Sequence, residues 1–286
     1  MKKSLWLVAL VICAFVADAQ VRTPQPSPAG SVTSTVGLTD IKIDYSRPRA
    51  KGRKIFSTDP ATVVPFGKIW RTGANSGTKI TFSEDVKVEG IAVPKGEYLI
   101  LTWPGEKEWT VALNKDVKLG GQTDKYDAAQ DAAKFKVKPT KLAEKVETLT
   151  FSIGDLSDDN KSAKVQLAWE NTSVKFSVAT EFDALVMKSI EETLKSETAE
   201  PYSYFQAAVY YLESGRDLNQ ALVWVDKAAA GMNSPFWVLH QKAKIQKALG
   251  DKAGALTTAN ASLEGAKQAS NRDYQMMNET LIKSLK

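Results

Sequence analysis

The strongest constraint in this sequence is a change of hydrophobic period near residue 181. From Ser31 to about Thr180 apolar side chains recur at every second position; after Glu181 they recur every three to four. A period of two lines one face of a strand, and a period near 3.6 lines one stripe of a helix. The chain therefore reads as an α+β protein in two parts. An N-terminal antiparallel β-sandwich or barrel spans 31–180, and a C-terminal α-helical array spans 181–286.

Within the first part, TDIKIDYS puts Ile41, Ile43 and Tyr45 on one face and Lys42 and Asp44 on the other. Ile80 and Phe82 alternate in the same way in TKITFS. EYLILTW and WTVALN, joined by PGEKE (104–108), predict a hairpin with Trp103 opposite Trp109, Leu101 opposite Val111 and Leu99 opposite Leu113. VEGIAVPKG predicts a second tight reversal. VQLAWENTSVKFSV predicts a third, turning at ENTS. The alanine-rich DKYDAAQDAAK (124–134) predicts a short helix.

In the second part, Phe182, Leu185, Val186, Ile190 and Leu194 mark a helix that ends before Pro201. Beyond it lies an internal repeat. With Gly215 set against Gly250, Ala208 falls on Ala243, Ala221 on Ala255 and Ala228 on Ser262. Small residues at a spacing near 34 let paired helices approach closely, and the unit looks like the tetratricopeptide pattern. Tyr211 and the turn at Asn233-Ser234-Pro235 agree with it, and 270–285 would close the array.

The N-terminus reads as an address. Lys2 and Lys3 precede an apolar run from Leu5 to Phe15, too short to span a bilayer, and Ala17-Asp18-Ala19 fits a small-x-small cleavage site. Residues 1–19 are expected to be a signal peptide, with the mature chain starting at Gln20 and exported to the periplasm or beyond. Ile12 is bulky just before Cys13, which argues against lipid attachment there. Residues 20–30, with three prolines, read as a linker. No later stretch predicts a membrane span. Cys13 is the single cysteine and would leave with the signal, so thiol chemistry and disulfides are excluded from the mature chain. The net charge of +5 is mild and its charges are dispersed, which does not predict nucleic-acid binding.

The residue types restrict the chemistry. His240 is the one histidine; a histidine metal cluster needs more, and a Ser-His-Asp triad needs a histidine at the nucleophile. Its expected role is structural or at the surface. Asp124, Asp127 and Asp131 would share a helix face, but such carboxylates also suit a helix start, and no calcium-loop spacing is present. No metal, cofactor or catalytic residue is predicted. The tryptophans are expected in the core. The leading site candidate is cationic. YSRPRAKGRK (45–54) extends the strand phase of Tyr45 onto Arg47, then reverses through Pro48 and Gly52 past Lys51 and Arg53. WRTGAN adds Trp70, Arg71, Gly73 and Asn75. Arginine forks and an amide suit a carboxylate or phosphate. These cations could instead pair with Asp44, Asp59 or Glu97 and pin their own loops.

SPAGSVTSTVGLTDIKIDYSRPRAKGRKIF, VVPFGKIWRTGANSGTKITFS and VPKGEYLILTWPGEKEWTVALNK, in this order, resemble the bacterial family called domain of unknown function 2911, from about Ser27 to Thr180. KVETLTFSI and VQLAWENTSVKFSV resemble it as well. The resemblance implies a secreted β domain and no particular activity. It carries Tyr45, Arg47, Pro48, Lys51, Gly52, Arg53, Trp70, Arg71, Gly73 and Asn75 as signature positions. Where many members have a WG-x-Y segment, this chain has KLGGQTDKY.

The expected function is a non-enzymatic binding or interaction protein. It would dock a protein or peptide on its helices and hold a small anionic ligand at Tyr45, Arg47, Lys51, Arg53, Trp70, Arg71 and Asn75. The alternatives are a periplasmic hydrolase or glycan-modifying enzyme built on carboxylates and arginines, and a purely structural envelope scaffold.

Overall fold

The computed structural model of the protein describes residues 23–196 and 198–286. The expected signal peptide, its cleavage point and Gln20 lie outside the described residues. The chain forms two compact units that divide between Glu181 and Phe182.

The first unit is built from twelve strands among the described residues: β1 Ala29–Val36, β2 Thr39–Ser46, β3 Phe56–Ser57, β4 Val64–Pro65, β5 Thr78–Phe82, β6 Val86–Val88, β7 Ile91–Val93, β8 Gly96–Trp103, β9 Trp109–Asn114, β10 Asp131–Val137, β11 Thr140–Gly154 and β12 Ser162–Thr180. One antiparallel sheet runs β1-β2-β5-β8-β9-β10 and a second runs β11-β12-β6-β7; β3 and β4 form a small parallel pair. Ile41, Ile43, Ile80 and Phe82 of the first sheet and Phe151, Val165, Leu167 and Phe176 of the second belong to one buried core. The sheets are thus held as a sandwich by their alternating apolar faces. The VEGI reversal forms as expected: Glu89 (φ 47°) and Gly90 (φ 82°) both take left-handed backbone, the geometry of a two-residue hairpin turn between β6 and β7.

Three local expectations are corrected. In the β8–β9 hairpin the register is displaced by one: Leu99 pairs with Asn114, Leu101 with Ala112 and Trp103 with Thr110. A one-residue slip reverses faces. Trp109, Val111 and Leu113 therefore enter the main core with Ile100, while Leu99 and Leu101 turn the other way. There they form a second cluster with Leu119, against which Trp103 and Tyr126 pack. Both faces of β8 are buried, so its run of apolar residues carries no phase. The turn is set by Gly105, where a Cβ would stand 2.4 Å from the Glu108 carbonyl oxygen.

The expected hairpin at ENTS does not form. β12 is one continuous strand of 19 residues. Glu170 takes φ 56° and the pairing with β11 slips on either side of it, which is a bulge. Across this irregularity 141–150 of β11 opposes the shorter 168–172 of β12, and the buried phase of β12 moves from Leu167 and Trp169 to Val174, Phe176 and Val178. The change of parity marks a break in the pairing of one continuous strand, not a reversal.

The expected helix at 124–134 is absent too. Thr123–Lys125 and Ala128–Gln130 are single 3-10 turns, and Asp131 begins β10. Ala133, Phe135 and Val137 alternate into the core and pair with β9, and that packing outweighs the helix preference of the alanines. The three aspartates separate accordingly. Asp127 accepts from the Ala129 N–H, and Asp131 accepts from Tyr126 Oη and Asn114 Nδ2.

The second unit contains six helices among the described residues: α1 Asp183–Leu194, α2 Pro201–Glu213, α3 Leu218–Gly231, α4 Phe236–Ala248, α5 Lys252–Gln268 and α6 Arg272–Leu285. Each helix from α2 to α6 packs on the next. Ala208, Ala221, Ala228, Ala243, Ala255 and Ser262, aligned by the repeat, are all fully buried at these contacts. Gly215 (φ 66°) and Gly250 (φ 87°) end their helices in left-handed backbone. Asp217 and Asp251 cap the helices that follow by accepting from free N–H groups. No helix among the described residues is long and apolar enough to cross a membrane.

Candidate functional site

The two signature loops of the β unit meet. Beyond the end of β2, Arg47 donates its backbone N–H to the Pro28 carbonyl (2.9 Å), and the chain then crosses to the second sheet. Ala50 N–H donates to Glu147 O (2.8 Å), Leu149 N–H donates to Pro48 O (2.9 Å), and Arg49 bridges Thr148. The chain reverses at Lys51 (φ 49°) and Gly52 (φ 71°). From the other loop, Asn75 Nδ2 donates to Ser46 Oγ (3.0 Å) and to Ser27 O (3.2 Å). One amide thus ties WRTGAN to the end of β2 and to the segment preceding β1.

The seven predicted residues do not act as one cluster. Tyr45 is a core residue, edge-on to Phe151. Trp70 is core as well: it stacks on Trp169 at 5.9 Å and donates Nε1–H to Gly73 O. Lys51 donates its backbone N–H to the Glu147 carboxylate (2.6 Å). Arg53 spends its guanidinium on its own turn, donating to Ala50 O (3.1 Å) and Arg49 O (2.7 Å). Arg71 donates to Gly121 O at 3.4 Å, at a glycine where a Cβ would also stand 2.7 Å from Asn75 O. Only Arg47 and Asn75 lie at the junction itself.

The acids considered as partners are engaged elsewhere. Asp44 pairs with Lys42, Glu97 pairs with Lys79, and Asp59 accepts from the Ala61 N–H in its own turn. Arg47 stands out. Its stem crosses Gly30, where a Cβ would come within 2.7 Å of Arg47 Cδ. Its Nε is buried and has no hydrogen-bond partner among the described residues. A buried donor left unpaired costs about 1–3 kcal/mol. A group of three or more potential metal ligands does not occur among the described residues.

The helical unit holds a second candidate, which the sequence reading did not isolate. A groove of about 750 Å³ runs over α4 between α2 and α6, lined by Leu212, His240, Lys244, Lys247, Met276 and Met277 among others. Met276 and Met277 are 57% and 43% exposed. Two adjacent, accessible methionines in a polar closing helix were the available sequence signal. Lys247 Nζ donates to Ser284 Oγ (2.7 Å), while no carboxylate among the described residues lines the groove.

His240 forms the floor through a buried polar chain. Asn278 Nδ2 donates to Ser262 Oγ and to Tyr274 O, both at 2.8 Å, so its Oδ1 accepts from His240 Nδ1–H at 2.8 Å. Ser262 Oγ in turn donates to Phe236 O. Of the structural and surface places expected for His240, its burial and its Asn278 hydrogen bond give it the structural one. Burial pushes the imidazole pKa below its ordinary 6.5, the Asn278 hydrogen bond opposes this, and nearby Lys244 adds to it. A group buried neutral favours the unfolded state once that state takes up protons. The helical unit is therefore expected to hold its stability above pH 6.5 and lose it progressively as pH falls below that value. His240→Gln should flatten this dependence in thermal melts run between about pH 5 and 7.

Residues 27–178 match the model of a family described as "Protein of unknown function (DUF2911)". The match takes in more than half of the chain, including both signature loops, and the chain belongs to this family. Comparison with curated proteins and with solved structures found no match.

Proposed function

We propose that this is an exported, non-enzymatic binding protein whose helical unit docks a peptide segment bearing apolar and acidic side chains. The observation that carries the reading is the groove over α4. Its walls are apolar at Leu212, Met276 and Met277, and its titratable side chains are His240, Lys244 and Lys247, all bases. Apolar walls flanked by lysines complement an amphipathic acidic segment. The tetratricopeptide-like spacing supports the same use, because alternate helices of such an array present one continuous face. Export to the periplasm or beyond rests on the leader read in residues 1–19.

The test is binding of the full chain to a peptide carrying leucine or phenylalanine anchors and glutamates, measured by calorimetry. Lys244→Glu with Lys247→Glu should weaken it at least tenfold, roughly one charge-assisted contact. Unchanged affinity in this double variant would refute the reading.

A second site is favoured by Arg47. Its buried Nε, without a hydrogen-bond partner among the described residues, suits a small carboxylate or phosphate. Titration with acetate and inorganic phosphate should detect binding that Arg47→Met abolishes. Gly30→Ala, which would push the arginine stem aside, should weaken binding while leaving the fold intact. Equal binding by all three proteins would remove the site.

A further inference from the structure

We propose that Met276 and Met277 are an oxidation site, and that a peroxide switches the helical groove off by converting their thioethers to sulfoxides. The proposal rests on the docking reading of the groove and adds a regulation to it. Both side chains are exposed, adjacent in the chain, and part of the groove wall. Met187 and Met232, the other methionines among the described residues, are half-buried, and Met232 packs against the helical core. Thioether oxidation follows access, so the groove pair should react first.

The step balances with the peroxide alone. A sulfur lone pair attacks one peroxide oxygen, an S–O bond forms, and the O–O bond breaks. The departing hydroxide takes a proton and leaves as water. Sulfur is oxidised by two electrons and the peroxide is reduced by two. The product places a strongly dipolar S–O group where an apolar anchor would sit. Burying that dipole without a partner opposes docking. Leu212 and Leu281, the aliphatic neighbours in the groove, do not react in this way, which confines the effect to α6.

The full chain is treated with graded hydrogen peroxide, mapped by peptide mass spectrometry, and titrated with anilinonaphthalene sulfonate, an apolar ring system carrying one negative charge. Met276 and Met277 should each gain one oxygen before Met187 and Met232. Dye affinity should fall about tenfold in step with them. In the Met276→Leu, Met277→Leu double variant, measured against its own untreated affinity, peroxide should leave dye binding undiminished. Oxidation of Met187 or Met232 first, or undiminished dye affinity after both groove methionines are oxidised, overturns the switch while leaving the groove as a docking site. Equal loss of binding in the double variant overturns it as well. An untreated chain that does not bind the dye overturns the docking reading and the switch with it, and the mass map then reads the oxidation order alone.

Discussion

Trp169→Ala is expected to cost the β unit about 3–5 kcal/mol, a large share of the stability of an ordinary domain. Trp169 is almost fully buried on β12, in the second sheet. Its ring stacks on Trp70 at an interplanar angle of 19° and meets Phe56 edge-on. Trp109 of the first sheet closes the same cluster through contacts to Phe56 and Trp70. The four rings therefore join both sheets to the loop that carries Arg71 and Asn75. Alanine would leave a cavity the size of an indole and remove the donor to Glu147 O. Trp70 would lose its stacking partner, and the Asn75–Ser46 contact would loosen with it. Trp169→Phe keeps the aromatic contact and should lose far less. Hydrogen exchange read by mass spectrometry should show increased exchange across β9, β12 and 70–75. Unchanged protection there in Trp169→Ala would contradict this role.

Asn278→Ala should destabilise the helical unit by about 2–4 kcal/mol, despite removing few atoms. Asn278 is fully buried and serves three partners on three helices or their turns: His240 of α4, Ser262 of α5 and the Tyr274 carbonyl of α6. Its removal strands the His240 and Ser262 groups in a place water does not reach. Alanine's better helix propensity recovers only a fraction of this. The exchange increase should be confined to α4, α5 and α6, with the β unit unaffected. The groove lies over this network, so dye or peptide binding should weaken in the same variant. A melting temperature within a degree of the parent would show that the network contributes little.

Much of the architecture was legible where one face of an element meets solvent. TDIKIDYS alternates cleanly because Lys42 and Asp44 pair with each other outside while Ile41, Ile43 and Tyr45 fill the core. The repeat was legible because close helix packing demands small residues at Ala208, Ala243, Ala221 and Ala255, whatever the surface does. Register in β8 was not, since both of its faces are buried and a shift by one exchanges one apolar face for another. The bulge at Glu170 hid behind turn-like residues. Its signature was the odd-to-even step from Trp169 to Val174, which a hairpin also produces.

At the candidate site, composition overstated the cluster. Five cations in ten residues, with Arg71 in the second loop, suggested convergence, yet backbone carbonyls take Arg53 in its own tight turn and Arg71 at Gly121. Such side chain–backbone bonds depend on turn geometry, which residue types indicate only loosely. The two loops do meet, through the Asn75 amide and Ser46 Oγ. The groove was illegible because its lining comes from α2, α4 and α6, far apart in sequence and interleaved with polar residues.

The most direct test of peptide docking over α4 is methyl NMR of the full chain labelled at its methionines, titrated with an amphipathic acidic peptide. The account predicts that the Met276 and Met277 signals move together with saturation while those of Met187 and Met232 stay in place. Binding that leaves the two groove methyls unmoved would contradict it.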